Sequence, residues 1–152
     1  PLAYHHHMGT VIETEEDTIR LLENTHESVK LTLDTGHMLF AKGESLKILN
    51  NFSERLIHMH CKDIRKEVLE NSLKNDLSFR GAFLEGAFTV PGDGCIDYKP
   101  LFDVLKKINY SGWLVVEAEQ DPAKANPLEY AKIGYNYLTQ TLKKSNIEIF
   151  KN

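Results

Sequence analysis

The chain has 152 residues, with 41% hydrophobic and 26% charged residues, enough for one domain with a real core and too little for two. Its 18 basic and 22 acidic residues leave a formal net charge of -4, which argues against broad electrostatic binding to nucleic acid or to an anionic membrane. No apolar stretch approaches the ~18–20 residues a spanning helix needs, and no basic region followed by an apolar one marks a secretory signal. The two cysteines, Cys61 and Cys95, read as reduced thiols of a cytoplasmic protein rather than as a disulfide framework. The chain opens on Pro1 and runs straight into an apolar, strand-like segment. That opening is read as belonging to the C-terminal part of a longer polypeptide.

In chain order, apolar strand-like runs alternate with amphipathic helical windows. Leu2–His7 is predicted as a strand, and Thr14–Asn24 as a helix with Thr14 as its cap and acids in the first turn. Val29–Leu33 is predicted as a short buried strand that ends in Asp34-Thr35-Gly36-His37. Ser45 is the expected cap of a helix through Phe52, and Leu56–Cys61 is a third strand that ends in Lys62-Asp63. Ile64–Glu85 reads as an inserted helical pair, and Phe88–Val90 as a short strand before Pro91-Gly92-Asp93-Gly94. Tyr98–Ile108 is a helix, Trp113–Val116 the most apolar strand, and Pro127 opens a last helix that runs to about Lys144. No internal repeat or linker divides the chain, so residues 1–152 are expected to form a single domain.

Such βα alternation implies an α/β fold with a parallel sheet buried on both faces. The polar residues that interrupt it sit just past the C-terminal ends of strands, where ligand sites form in β/α barrels and in open doubly wound sheets alike. No Gly-x-Gly-x-x-Gly follows the first strand and no Gly-x-x-x-x-Gly-Lys-Ser/Thr occurs, which disfavours dinucleotide and P-loop chemistry. The strand ends supply Asp34, His37, His58, His60, Glu117 and Glu119, with His5, His6 and His7 at the start. Imidazole and carboxylate together suit a borderline divalent ion such as Mn2+, Co2+, Fe2+ or Zn2+. Residues two apart on a strand face the same side, so His58 pairs with His60, His5 with His7, and Glu117 with Glu119. Lys62, Asp63 and Arg65 are placed above the third strand, where Lys62 either holds an oxyanion or pairs in solvent with Asp63 or Glu67. Asp93 and Asp121 read as turn residues, Trp113 as core, and Cys61 as pointing away from the ligand face.

Leu31–His37 (Leu-Thr-Leu-Asp-Thr-Gly-His), His58–Asp63 (His-Met-His-Cys-Lys-Asp) and Val115–Glu117 (Val-Val-Glu) resemble the xylose-isomerase-like barrel superfamily. Leu2–Thr10, Phe88–Asp97 and Gly112–Ala125 resemble, within it, the inosose dehydratases. The resemblance runs from Leu2 to about Leu142. It implies the C-terminal half of a (β/α)8 TIM barrel, with parallel strands, outer helices and the N-terminal strands missing. It makes Asp34, His60 and Glu117 metal ligands. Where the superfamily commonly places a glutamate, this chain has Tyr4-His5-His6-His7, so the fourth ligand is His5, His7 or water, with His5 favoured. The implied cofactor is a divalent metal, Mn2+ or Co2+, with Zn2+ as the alternative.

The implied reaction is dehydration of 2-keto-myo-inositol to a trihydroxycyclohexane-1,2-dione, in inositol catabolism. A carbon acid beside a ketone needs the developing enolate stabilised, which a divalent ion supplies as a Lewis acid. An imidazole with a pKa near ~6.5 suits the proton transfer. His37, His7, Lys62 and Glu119 are the catalytic candidates, with the roles of base and acid left open. The expected partner is a small cyclic polyol ketone, without nucleic acid or membrane, in a homo-oligomer. The competing readings are a ketose–aldose isomerase or epimerase on the same scaffold, a repair endonuclease disfavoured by the charge, and an inactive fragment.

Overall fold

The computed structural model describes residues 2–150; Pro1, Lys151 and Asn152, the ends of the expected 1–152 domain, lie outside the described residues. Four strands, β1 (Leu2–His5), β2 (Val29–Asp34), β3 (Leu56–Cys61) and β6 (Trp113–Val116), form one parallel sheet in the order β1-β2-β3-β6. The strand over Leu2–His7 is shorter than expected: it ends at His5, and His6 and His7 leave the sheet.

The period of two decides which face each strand residue takes. Leu31, Leu33, Met59 and Cys61 join one buried cluster with Leu22 of α1 (Glu15–Glu23), Ile48 and Leu49 of α3 (Ser45–Phe52), Leu101, Phe102 and Leu105 of α6 (Tyr98–Lys107), and Leu138 and Leu142 of α7 (Pro127–Lys144). The alternate residues Thr32, Asp34, His58 and His60 turn to the other face. The expectation of apolar burial on both faces is corrected here: the second face carries polar side chains. Register then aligns them, because Asp34 lies opposite His60 and His60 opposite Val115.

Local chemistry explains the helix ends. Thr14 caps α1 through a capping box with Asp17, and Glu15, Glu16 and Asp17 fill its first turn. Asn126 caps α7, and Pro127 occupies its first turn, where the missing N–H costs nothing. Ser45 is not the cap of α3; it is the first helical residue after Glu44, which makes no side-chain cap bond. The backbone N–H of Glu44 instead donates to Glu15 at 2.7 Å, so a tertiary partner replaces the local cap.

The inserted helical pair is present as α4 (Lys66–Lys74) and α5 (Phe79–Leu84), but its flanks differ from expectation. Phe88–Val90 does not continue the parallel series: β5 (Phe88–Thr89) pairs antiparallel with β4 (Asp63–Ile64), apart from the main sheet. This hairpin carries a second core of Phe40, Ile64, Leu69, Ala82, Ala87 and Phe88, with Met8 and Phe79 packed against it. Trp113 is also corrected: it is 67% exposed rather than core, as the first residue of β6, an outer strand of the sheet among the described residues. No helix among the described residues is long and apolar enough to cross a membrane.

Candidate active site

Asp34 ends β2, and its side chain is wholly buried. Its Oδ1 accepts the backbone N–H of His37 at 2.9 Å, capping the short helix α2 (Thr35–Phe40). Its Oδ2 lies 3.5 Å from His5 Nε2 and 3.5 Å from His60 Nδ1. His60 Nδ1 is also 2.5 Å from Glu117 Oε2, just beyond β6. All four of these atoms are buried, yet none forms a hydrogen bond, because distance without direction is not one. Four buried ligand atoms that meet one another at 2.5–3.5 Å without a hydrogen bond, around one space, match the donor set of a divalent cation. Strand register explains the convergence of Asp34 and His60, and the ligand atoms of Asp34, His60 and Glu117 lie within 4.8 Å of one another.

The electrostatics follow from this crowding. Burial pushes the Asp34 carboxyl up, but the adjacent imidazoles of His5 and His60 and the Lys62 ammonium outweigh it and hold it well below its usual range. Burial also pushes Glu117 up, and His60 and Lys62 bring it below the ordinary value. The Asp34 and Glu117 carboxylates push His60 up to about 9.

Lys62 follows β3 and is not the solvated cation that one reading of the sequence allowed. It is 0% exposed, with Nζ 2.9 Å from Glu119 Oε2 and 2.9 Å from His37 Nε2. The same Nζ lies 3.3 Å from Glu117 Oε1 and 3.4 Å from Asp34 Oδ2. Three neighbours seat this lysine. Thr35 Oγ1 donates to its carbonyl at 2.6 Å, and the buried Tyr98 hydroxyl donates there at 2.9 Å. A Cβ on Gly36 would meet Lys62 Cγ at 2.7 Å, so only glycine leaves room for the stem.

Glu119 collects the remaining candidates. Its Oε2 is 3.2 Å from the buried His37 Nε2, and its Oε1 is 3.5 Å from His7 Nε2. Burial raises the Glu119 carboxyl, but His37 and Lys62 pull it down to about 2. His37, lowered chiefly by burial, favours its neutral form. His7 Nδ1 lies 2.7 Å from the Met8 carbonyl, which can only accept. A proton therefore sits on Nδ1, and Nε2 is the ring nitrogen that faces Glu119. His7 and Glu119 keep 28% and 25% of their side chains exposed, whereas His37 and Lys62 keep none. Phe79 of α5 meets the His7 and His37 rings at 5.4 and 5.9 Å between centroids and walls that side.

The structure thus brings His5, Asp34, His60 and Glu117 to one cluster and His7, His37 and Glu119 to an adjoining one, with Lys62 between them. His58 stays outside both, its ring 5.3 Å from that of His60. Asp93 pairs with Arg65 at 2.6 Å, and Asp121 accepts the Ala123 N–H at 2.9 Å, as turn residues. Cys61 is buried in the helix-side core. Sequence reasoning gave no role to Tyr98, counted His6 only among the donors at the chain's start, and offered Asp63 as a solvent partner of Lys62, a pairing the structure replaces. His6 is wholly buried, and burial lowers it to about 3, so it is neutral and accepts the Asp34 N–H. Asp63 Oδ1 accepts the N–H groups of Ile64 and Ile96, pinning the loop after β5. The alternation of three consecutive histidines was the signal available for His6.

The xylose isomerase-like TIM barrel family matches residues 1–141. The chain belongs to this family. It is 51% identical over 142 residues to the inosose dehydratase of Lactiplantibacillus plantarum, covering 93% of this chain and 47% of the relative. It is 50% identical over 139 residues to the rhizopine catabolism protein MocC of Rhizobium meliloti, covering 91% and 43%. The chain spans about half the length of the curated relatives it matches. Among solved structures, the probable 3-DHS dehydratase AsbF of Bacillus anthracis superposes with a TM-score of 0.63 at 18% identity, over 90% of this chain and 48% of that one. The IolI protein with a binding zinc atom gives 0.56 at 23% identity, over 95% and 46%. Both likenesses are of fold. They agree with four parallel strands under outer helices, half the strand count of a closed eight-stranded barrel.

Proposed function

We propose that this chain carries the metal- and substrate-binding face of a hydro-lyase that dehydrates 2-keto-myo-inositol to a trihydroxycyclohexane-1,2-dione. The observation that carries the reading is the convergence of four buried ligand atoms without a hydrogen bond, on His5, Asp34, His60 and Glu117. The identity to relatives named inosose dehydratase supplies the substrate class. His5, Asp34, His60 and Glu117 would hold a divalent ion, Mn2+, Co2+ or Zn2+. When bound, such an ion supplies Lewis-acid stabilisation of the negative charge that develops on the ketone oxygen.

The chain's own residues move the proton. His7, through Nε2, the ring nitrogen not engaged by Met8 and open to the site, takes the proton from the carbon beside the ketone. Glu119, ionised and 3.5 Å away, stabilises the imidazolium that results. The electron pair of the broken C–H bond forms the new C=C bond as the neighbouring C–O bond breaks. The hydroxyl leaves as water on receiving the proton that His7 has taken, which returns the imidazole to its starting state, and the enol formed rearranges to the diketone. His37 and Lys62, both wholly buried, act as positioning residues that hold Glu119 rather than as the groups that touch substrate. Phe79 gives an apolar wall suited to the C–H face of a polyol ring. A small cyclic polyol ketone is therefore the proposed partner.

The test is ultraviolet absorbance on adding 2-keto-myo-inositol to the Mn2+-loaded protein. A conjugated product that forms with metal and not after chelation is the expected outcome. Loss of substrate to an isomeric polyol, without absorbance, would replace this reading with the isomerase.

A further inference from the structure

We propose that this site is shaped for two cations and that the chain supplies the second one itself, as the Lys62 ammonium, so that one divalent ion binds and a second is excluded. The inference rests on the metal reading above and extends it to metal count.

Two ligand sets adjoin at the strand ends, and His5, Asp34 and His37 form a third that spans them. His7, His37 and Glu119 present one atom each within 4.8 Å of one another, as Asp34, His60 and Glu117 do. By spacing and donor type the second set would also take a metal. The sets differ in what fills them. The ligand atoms of the first make no hydrogen bond and meet only one another and, more distantly, Lys62, whereas in the second His37 Nε2 and Glu119 Oε2 each lie 2.9 Å from Lys62 Nζ. That nitrogen also reaches Glu117 and Asp34 of the first set, at 3.3 and 3.4 Å. It therefore stands where a second bridging cation would stand, among the same carboxylates. In two-metal sites the ions lie about 3.5–4 Å apart.

Charge supports the same count. Asp34, Glu117 and Glu119 bring three negative charges, and one ammonium with one divalent ion brings three positive. A second divalent ion would add two uncompensated charges to a buried site, where unpaired charge is costly. The seat of Lys62 is also built rather than incidental. Gly36 leaves space for its stem, and the Thr35 and Tyr98 hydroxyls hold its carbonyl. The arrangement has a chemical consequence. A metal in the second set would take the His7 Nε2 lone pair as a ligand and remove it as a base, whereas an ammonium at Lys62 leaves it free.

The experiment is Mn2+ titration by calorimetry, with metal analysis after gel filtration and near-ultraviolet circular dichroism to follow the fold. Unmodified protein should bind one equivalent, and Lys62→Met should bind two, a doubling. Should Lys62→Met unfold without metal, two equivalents of Mn2+ should restore its dichroism, and Lys62→Gln should give the same count. No binding to the unmodified protein would overturn the metal reading itself. Two equivalents on the unmodified protein, one on both variants, or variants that Mn2+ does not restore would overturn this inference alone; a merely structural lysine would lower stability and leave the count at one.

Discussion

His6 Nε2 accepts the backbone N–H of Asp34 at 3.1 Å, across a span of 28 residues, inside a fully buried contact. Together with the His37 N–H on Oδ1, this bond holds Asp34 at both its backbone and its side chain. The free Oδ2 is left aimed at His5 and His60. The middle histidine of the three thus positions Asp34, a proposed metal ligand, instead of joining that set.

Replacing His6 by Leu leaves the Asp34 N–H buried without an acceptor. A loss of about 1–3 kcal/mol in unfolding free energy is expected, read by urea denaturation, together with weaker Mn2+ binding in calorimetry. Unchanged stability and affinity would remove His6 from the support of the site.

Asp34→Asn keeps the side-chain volume but removes a negative charge from the centre of the ligand set. Metal content after gel filtration should fall to near zero, and dehydration should fall with it. Second-site effects are also expected, because Lys62 loses one of its three carboxylate neighbours.

Gly36→Ala places a methyl group 2.7 Å from Lys62 Cγ. Overpacking of this kind costs about 1–3 kcal/mol, so a lower unfolding midpoint is expected. Measured in a Lys62→Ala background, the Gly36→Ala loss should be smaller, since Cγ and Cδ of the clash partner are gone and only its Cβ, at 3.0 Å, remains. A double-mutant cycle with zero coupling would contradict the contact.

The Glu119 carboxyl is lowered from 4.5 to about 2 in the folded chain. Its ionised form is therefore favoured by folding: the stabilisation is present above pH 4.5 and is lost as pH falls through about 2. In metal-free protein, Glu119→Gln should lower stability at neutral pH, and the difference from the unmodified protein should close across that acid window. Carbonyl NMR of Glu119 should show it still ionised at pH 3.

β1 and β6 are the outer strands of the main sheet among the described residues, and Leu2 and Trp113 on them are 64% and 67% exposed. Open parallel edges invite pairing, so light scattering on this polypeptide should report a mass above the monomeric 17.4 kDa. A clean monomer with a cooperative melt would refute the association.

Much of the fold was legible because its signals are local. β3 over Leu56–Cys61, β6 over Trp113–Val116 and α7 over Pro127–Lys144 stand where apolar runs and caps place them. The Thr14 box works within three residues of chain, and side chains two apart on a strand must share a face. That Asp34 and His60 act together was implied by the family resemblance, not by these local signals. What stayed hidden was decided by distant parts of the chain. Two-residue strands such as Asp63–Ile64 and Phe88–Thr89 carry no period, so only their pairing defines them. The burial of Lys62 depends on Gly36, Thr35 and Tyr98 from other elements, which turn a side chain of solvent-loving type into the central charge of the site. Sequence by itself determined which residue types end the strands, because alternation and capping are properties of neighbouring residues. Tertiary structure alone decided which of them face one another, because register, burial and charge pairing arise only where separate strands meet.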